Sequence, residues 1–316
     1  MMYGIIVILF FTSLLLYFRV ADHYNIIDHP NERSSHSRIT IRGGGVIFLL
    51  AAIMAVILHH DYWLPVTGII IIGIISFLDD VFTLSSKLRL LFHVLAVTLL
   101  FFYLRVFVSQ PILLYIPLYI MVIGIINMYN FMDGINGMTG LYSLVVLAGL
   151  QFVNLQKTAF VDPDMIWLPM LACIVFLFFN FRRKARCFAG DAGSVTMAFW
   201  IIMLLMRLIY FTNNWVYILF LVVYGVDSVL TVAHRLIRRE DILKAHRLHF
   251  YQLLANEWKV PHLLISAGYG LVQGGIILAI VLNPNISALT FFLFTTIPLA
   301  IVYISLKPKF MRVSDS

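Results

Sequence analysis

Charge is what this sequence has least of. Asp, Glu, Lys and Arg make up 12% of its 316 residues, against roughly 25% in a soluble domain. Cysteine is almost as scarce. Cys173 and Cys187 are the whole complement, too few for a disulfide framework or a metal set, with the first in an apolar run and the second in a loop. There is no low-complexity tract, no clear internal repeat and no stretch polar enough to form a separate soluble domain. Acid is scarcer than base, 15 residues against 22, which leaves a net charge of +7. No nucleic-acid partner is expected, because the excess base lies in loops between apolar runs. It suits anionic lipid or a phosphorylated substrate instead.

Hydrophobic residues, by contrast, make up 62% of the chain. They fall into runs of the length that crosses a bilayer as helix. Eleven are read: 2–18, 44–58, 64–78, 88–104, 112–131, 140–156, 165–181, 194–212, 215–233, 262–282 and 286–306. The chain is therefore expected to be all-α, a polytopic membrane protein of about eleven transmembrane helices in one domain, residues 1–316. The runs 44–58 and 64–78 are short for a straight crossing. Of the 22 Lys and Arg, all but Arg105, Lys157 and Arg207 fall on one side of that topology. The positive-inside bias then puts the N-terminus outside and the C-terminus in the cytoplasm. The first run lacks a basic segment before it and a small-residue cleavage site after it, so it reads as a span and not a signal peptide.

The outer loops are short and plain, and the inner loops carry the chemistry. A transporter places polar groups at mid-membrane, reachable from both sides. Here they gather at one face, which favours a site opening to the cytoplasm. In "ISFLDDVFTLSSKLRLLF", Asp79 and Asp80 close an apolar run, against the negative end of the helix dipole, and Lys87 follows seven residues after Asp80. Lys87 is either a positive-inside anchor or a compact ammonium held by one of the aspartates and aimed at phosphate. In "NMYNFMDGINGM", Asn127, Asn130 and Asp133 recur every three residues and share a helix face, followed by Gly134 and Gly137. "CFAGDAGS" sets Asp191 at the start of a span, where a carboxylate can cap the helix or bind a cation. Asp79, Asp80, Asp133 and Asp191 together point to a hard cation, and Mg2+ takes oxygen ligands of this kind. His246, Arg247 and His249 in "AHRLHFYQ" suit donation to phosphate oxygens, or an amphipathic basic loop on anionic lipid. "SSHSRITIRGGG" offers His36, Arg42 and three glycines, whose amides could cradle phosphate or merely let a loop enter a tightly packed helix.

Taken in order, these motifs resemble the polyprenyl-phosphate N-acetylhexosamine-1-phosphate transferase family, of the glycosyltransferase family 4 type. The resemblance runs through all five inner loops, from about residue 28 to 250. Asp79 and Asp80, with the "LS-x-K-L-R-L" continuation and Lys87, correspond to the family's aspartate pair. Asn127, Asn130 and Asp133 correspond to its N-x-x-N-x-x-D-G segment. Asp191 corresponds to its metal-binding aspartate, with Asn180 upstream, and His246 and His249 lie in its last large inner loop. Asn136 stands where many relatives have Asp, and the Asn180–Asp191 loop is longer and more basic than usual. The absence of a His-His-His run argues against the peptidoglycan enzyme. "NERSSH" with "RGGG" looks nearer the branch that starts O-antigen and related surface polysaccharides.

The resemblance implies transfer of a sugar-1-phosphate from a UDP-N-acetylhexosamine to undecaprenyl phosphate at the cytoplasmic face of the inner membrane, releasing UMP. It implies Mg2+, with Mn2+ as a substitute, on Asp191 and Asn130. Asp79, Asp80, Lys87, Asp133, His246 and His249 fall at the family's catalytic positions, with the aspartate pair read as orienting or electrostatic groups and a base role for one of them left open. Asn127, Asn130, Asn136, Asn180, Arg247, His36 and Arg42 become substrate contacts, and a homodimer is compatible with the family. The rival from another class is a transporter or flippase for a lipid-linked or phosphorylated substrate.

Overall fold

A computed structural model describes residues 2–28, 39–241 and 247–314, with side chains described to Lys307. Every expected apolar run forms a helix. In chain order they are α1 Met2–His23, α2 Val46–Leu58, α3 Trp63–Phe82, α4 Ser86–Tyr103, the single turn α5 Val106–Ser109, α6 Tyr115–Phe131, α7 Met138–Gln156, α8 Asp164–Asn180, α9 Gly190–Thr212, α10 Val222–Ile237, α11 Phe250–Asn256, α12 His262–Leu282 and α13 Ala288–Ser314. Among the described residues, nine helical stretches are long and apolar enough to cross a membrane, and α2 and α8 are shorter apolar helices. The only strands described are Ile27–Asp28 and Thr40–Ile41, an antiparallel pair.

Burial separates the helices by role. Helix α9 is apolar on every face, and its residues from Ala192 through Met206 are all buried. Such a helix belongs at the centre of a bundle. In α13 the spanning window is only 11% buried, so that helix shows most of its surface to the surroundings. The central placing of α9 carries its first turn, with Asp191, into the middle of one end of the bundle.

Glycine permits the closest crossing. A Cβ at Gly45, before α2, would lie 2.0 Å from the Cα of Gly193 in α9. Only bare backbone fits there. The amides of Gly44 and Gly45 donate to the carbonyls of Phe188 (2.8 Å) and Ala189 (3.0 Å). These amides are therefore occupied, which corrects the phosphate-cradle reading of "RGGG". The glycines join the α1–α2 segment to the α8–α9 loop, and Phe188 N–H completes the seam on Ile41 O at 2.8 Å.

The opposite end of the bundle holds a cluster the sequence reading passed over. His59 lies 2.9 Å from Asp164 and 3.4 Å from Asp162, and the Tyr3 hydroxyl donates to Asp164 at 2.5 Å. These contacts tie the ends of α1 and α2 to the start of α8.

Candidate active site

Helix α3 ends on two anions, which its own dipole disfavours. The first turn of α9 supplies the compensation. Asp80 Oδ1 accepts from the Asp191 amide at 3.0 Å, and Oδ2 accepts from the Ala192 amide at 2.9 Å. Arg42 Nε donates to the same Oδ1 at 2.8 Å. The Asp80 side chain is 0% exposed. Asp79 is also engaged: Oδ1 accepts from the Leu84 amide at 2.5 Å and Oδ2 from Arg89 Nη1 at 2.9 Å. Those bonds close the α3–α4 turn, where Ser85 caps α4 by accepting from the Leu88 amide.

Asp191 is held differently. Its side chain is 21% exposed, with Arg42 Nη2 at 4.0 Å and Arg89 Nη1 at 3.6 Å. Two guanidinium groups thus face three carboxylates. Of the three, Asp191 is the one presented to a cavity.

The α6–α7 connection forms the facing wall. Asn130 Oδ1 accepts from the Ser194 hydroxyl of α9 at 2.6 Å, which fixes its amide beside Asp191's helix. Asp133 Oδ1 accepts from Thr139 at 2.6 Å. Burial pushes the Asp133 carboxyl up to about 7; the Thr139 hydrogen bond and Arg42 oppose the rise, while Asp80's negative charge adds to it. Asn180 acts as a brace: its Oδ1 accepts from Gly137 N–H at 2.6 Å and its amide donates to Cys187 O at 2.8 Å. Asn136 donates to Arg182 O at 2.8 Å. From the far side, Tyr251 donates to Phe131 O at 2.9 Å and packs against Gly134.

These walls enclose a polar cavity of about 300 Å³. Arg42, Asn130, Asp133, Asn136, Asn180 and Asp191, all expected from the sequence, line it. Asp28, Gln252 and His262 line it too and were missed. Gln252 completes a capping box with His249 at the start of α11, a pairing that the local sequence does not mark. Nothing in the pattern around His262 marks it beyond a helix start after Pro261.

Several expectations need revision. Lys87 is exposed and is held by neither aspartate; Arg89, two residues further on, takes that place. Asn127 faces outward and donates to Ile123 O of its own helix at 3.0 Å. Arg247 is exposed and outside the cavity lining. His249 is buried and lies 3.3 Å from Asp227, whose carboxylate also accepts from the Phe250 amide at 2.9 Å and from Tyr269 at 2.7 Å. It helps seat α11 and does not line the cavity. His36 and His246 lie outside the described residues.

Residues 62–209 match the family model described as "Glycosyl transferase family 4". That span holds Asp79, Asp80, Arg89, Asn130, Asp133, Asn180 and Asp191. The "Probable undecaprenyl-phosphate N-acetylglucosaminyl 1-phosphate transferase" of Bacillus subtilis is 25% identical over 256 residues, covering 75% of this chain and 71% of the relative. The undecaprenyl-phosphate alpha-N-acetylglucosaminyl 1-phosphate transferase of Escherichia coli K12 is 27% identical over 231 residues, 64% of this chain and 61% of the relative. A phospho-N-acetylmuramoyl-pentapeptide-transferase of Dictyoglomus turgidum is 28% identical over 171 residues, 49% of this chain and 55% of that one. The motifs, the polar residues gathered at one end of a helical bundle and these likenesses agree: the chain is similar to the polyprenyl-phosphate hexosamine-1-phosphate transferases of glycosyl transferase family 4.

Proposed function

We propose that the protein transfers a sugar-1-phosphate of the N-acetylhexosamine type from a UDP-sugar to undecaprenyl phosphate and releases UMP, at the cytoplasmic face of the membrane. The observation that carries this reading is the polar cavity at one end of an apolar bundle, with Asp191, Asn130 and Asp133 facing Arg42. In the reaction, an oxygen of the lipid phosphate attacks the phosphorus that bears the sugar. The bond from that phosphorus to the bridging oxygen breaks, and UMP leaves with that oxygen. A phosphomonoester has its second pKa near 6, so the attacking oxygen needs little help from a base. Charge neutralisation and alignment are what the protein must supply.

The donors lining the cavity are hard oxygens, a set that fits Mg2+. Asp191 and Asn130 would hold the ion, with Asp133 nearby, and the bound ion would offset charge on the diphosphate. Arg42 and Arg89, beside Asp191, can take phosphate oxygens as planar forks. Lys87, exposed where α4 begins, is free to meet an arriving lipid phosphate. For the lipid's chain, an apolar cavity of about 320 Å³ between α6, α10 and α13 is lined by Met128, Val226 and Phe292. It runs beside the helix that carries Asn130.

The test is release of UMP from a panel of UDP-sugars by the purified protein in detergent, with and without undecaprenyl phosphate. Lipid-dependent release with at least one UDP-N-acetylhexosamine supports the reading. Movement of labelled lipid across vesicles without UMP release from any donor overturns it in favour of a flippase.

A further inference from the structure

The paired aspartates at the end of α3 invite a catalytic role, yet their oxygens are already engaged. We infer that Asp80 is a positioning residue that sets the carboxylate of Asp191 through the first turn of α9, and that it neither binds metal nor moves a proton. This rests on the proposed function, in which Asp191 is a metal ligand.

Asp80 accepts from three donors: the Asp191 amide, the Ala192 amide and Arg42 Nε, at 3.0, 2.9 and 2.8 Å. Its side chain has no exposure, and it does not line the cavity where substrate would lie. A base needs a lone pair within reach of the proton it takes; the Asp80 oxygens instead face backbone amides and a guanidinium. One of those amides belongs to Asp191 itself, so a shift of Asp80 moves the backbone from which the Asp191 side chain springs. Gly190 confirms how closely the cap fits. It has φ +68°, and a Cβ there would meet Asp80 Oδ2 at 2.4 Å. Arg42 spans the arrangement, bonded to Asp80 and 4.0 Å from Asp191.

Second-sphere groups of this kind act on metal affinity, commonly by about 10- to 100-fold. A general base acts on turnover at every metal concentration, by about 10²- to 10⁴-fold. The experiment measures Mn2+ binding by electron paramagnetic resonance on the full chain in detergent, without nucleotide or lipid, alongside turnover as a function of Mn2+. Variants are Asp80→Asn, Gly190→Ala and Asp191→Asn. An asparagine at 80 keeps one acceptor but turns a donor toward an amide or Arg42. Gly190→Ala leaves Asp80 intact and forces it off the α9 amides.

Asp80→Asn is expected to weaken Mn2+ binding at least about tenfold, with turnover at saturating Mn2+ recovering to within about threefold of the parent. Gly190→Ala should weaken Mn2+ binding in the same way, and it serves alone if Asp80→Asn does not fold. Wild-type Mn2+ affinity in Asp80→Asn with turnover lost at every metal concentration overturns the inference and makes Asp80 catalytic. Wild-type affinity in Gly190→Ala also overturns it. Undiminished Mn2+ binding in Asp191→Asn is a separate failure, that of the metal site itself.

Discussion

Arg89 Nη1 lies 2.9 Å from Asp79 Oδ2, and the same nitrogen is 3.6 Å from Asp191. One guanidinium therefore joins the end of α3 to the start of α9. Lys87, two residues earlier, is exposed and joined to neither aspartate. The two cations should consequently fail in different ways. Lysine cannot reproduce a planar head whose Nη1 faces both carboxylates while its Nη2 donates to Ser86. Arg89→Lys is expected to lower kcat at least about tenfold, roughly 1.4 kcal/mol of barrier. Lys87→Ala is expected to raise KM for undecaprenyl phosphate while kcat changes little, as loss of uniform binding does. Steady-state kinetics on both variants check this; the reverse pattern would return the central role to Lys87.

The contact between Gly45 and Gly193 predicts a stability effect. A Cβ at 45 would sit 2.0 Å from backbone that cannot swing aside. Gly45→Ala should therefore cost at least the roughly 1–3 kcal/mol typical of overpacking. Thermal unfolding of the detergent-solubilised protein should show a clear drop in Tm. Gly124→Ala, whose Cβ would meet nothing within 4 Å, should leave Tm unchanged. Equal behaviour of the two variants would remove the close α2–α9 crossing.

Much of this was legible in the sequence, for identifiable reasons. The helices came from apolar run length, and the end of α2 at Leu58 and the span of α12 at His262–Leu282 coincide with the runs read. Asp191, Asn130 and Asp133 were legible because polar groups at the end of an apolar run have no packing reason to be there. What was not legible is which partner each group takes. Nothing in "LDDVF" says that Asp80 will meet the amides of residues 111 and 112 positions further on. Nor does "RGGG" distinguish amides facing a phosphate from amides facing Phe188 and Ala189. Those depend on how α2, α3 and α9 cross, which local pattern does not encode. Gln252 and His262 were missed for the same reason: their elements are brought to the cavity by tertiary packing alone.

The proposed cytoplasmic orientation has its own check. Cys187 is buried under the seam with Ile41, and burial pushes its thiol up to about 12, so it would resist a thiol reagent from either side. Lys184 is exposed in the same loop. In a Cys187→Ala background, Lys184→Cys is expected to label with an impermeant maleimide only after the membrane is permeabilised. Labelling in intact cells would invert the topology.

Exchange of UMP for a lipid phosphate at Asp191 and its neighbours is the proposed chemistry. Its most direct measurement is UMP formed per lipid-linked sugar diphosphate formed, in purified protein given UDP-N-acetylhexosamines and undecaprenyl phosphate, with and without EDTA. One UMP per lipid product is expected, with silence in EDTA, recovery on adding Mg2+ or Mn2+, and loss of nearly all turnover in a folded Asp191→Asn variant. Full turnover by that variant at low Mg2+, or UMP release that ignores both lipid and metal, would contradict it.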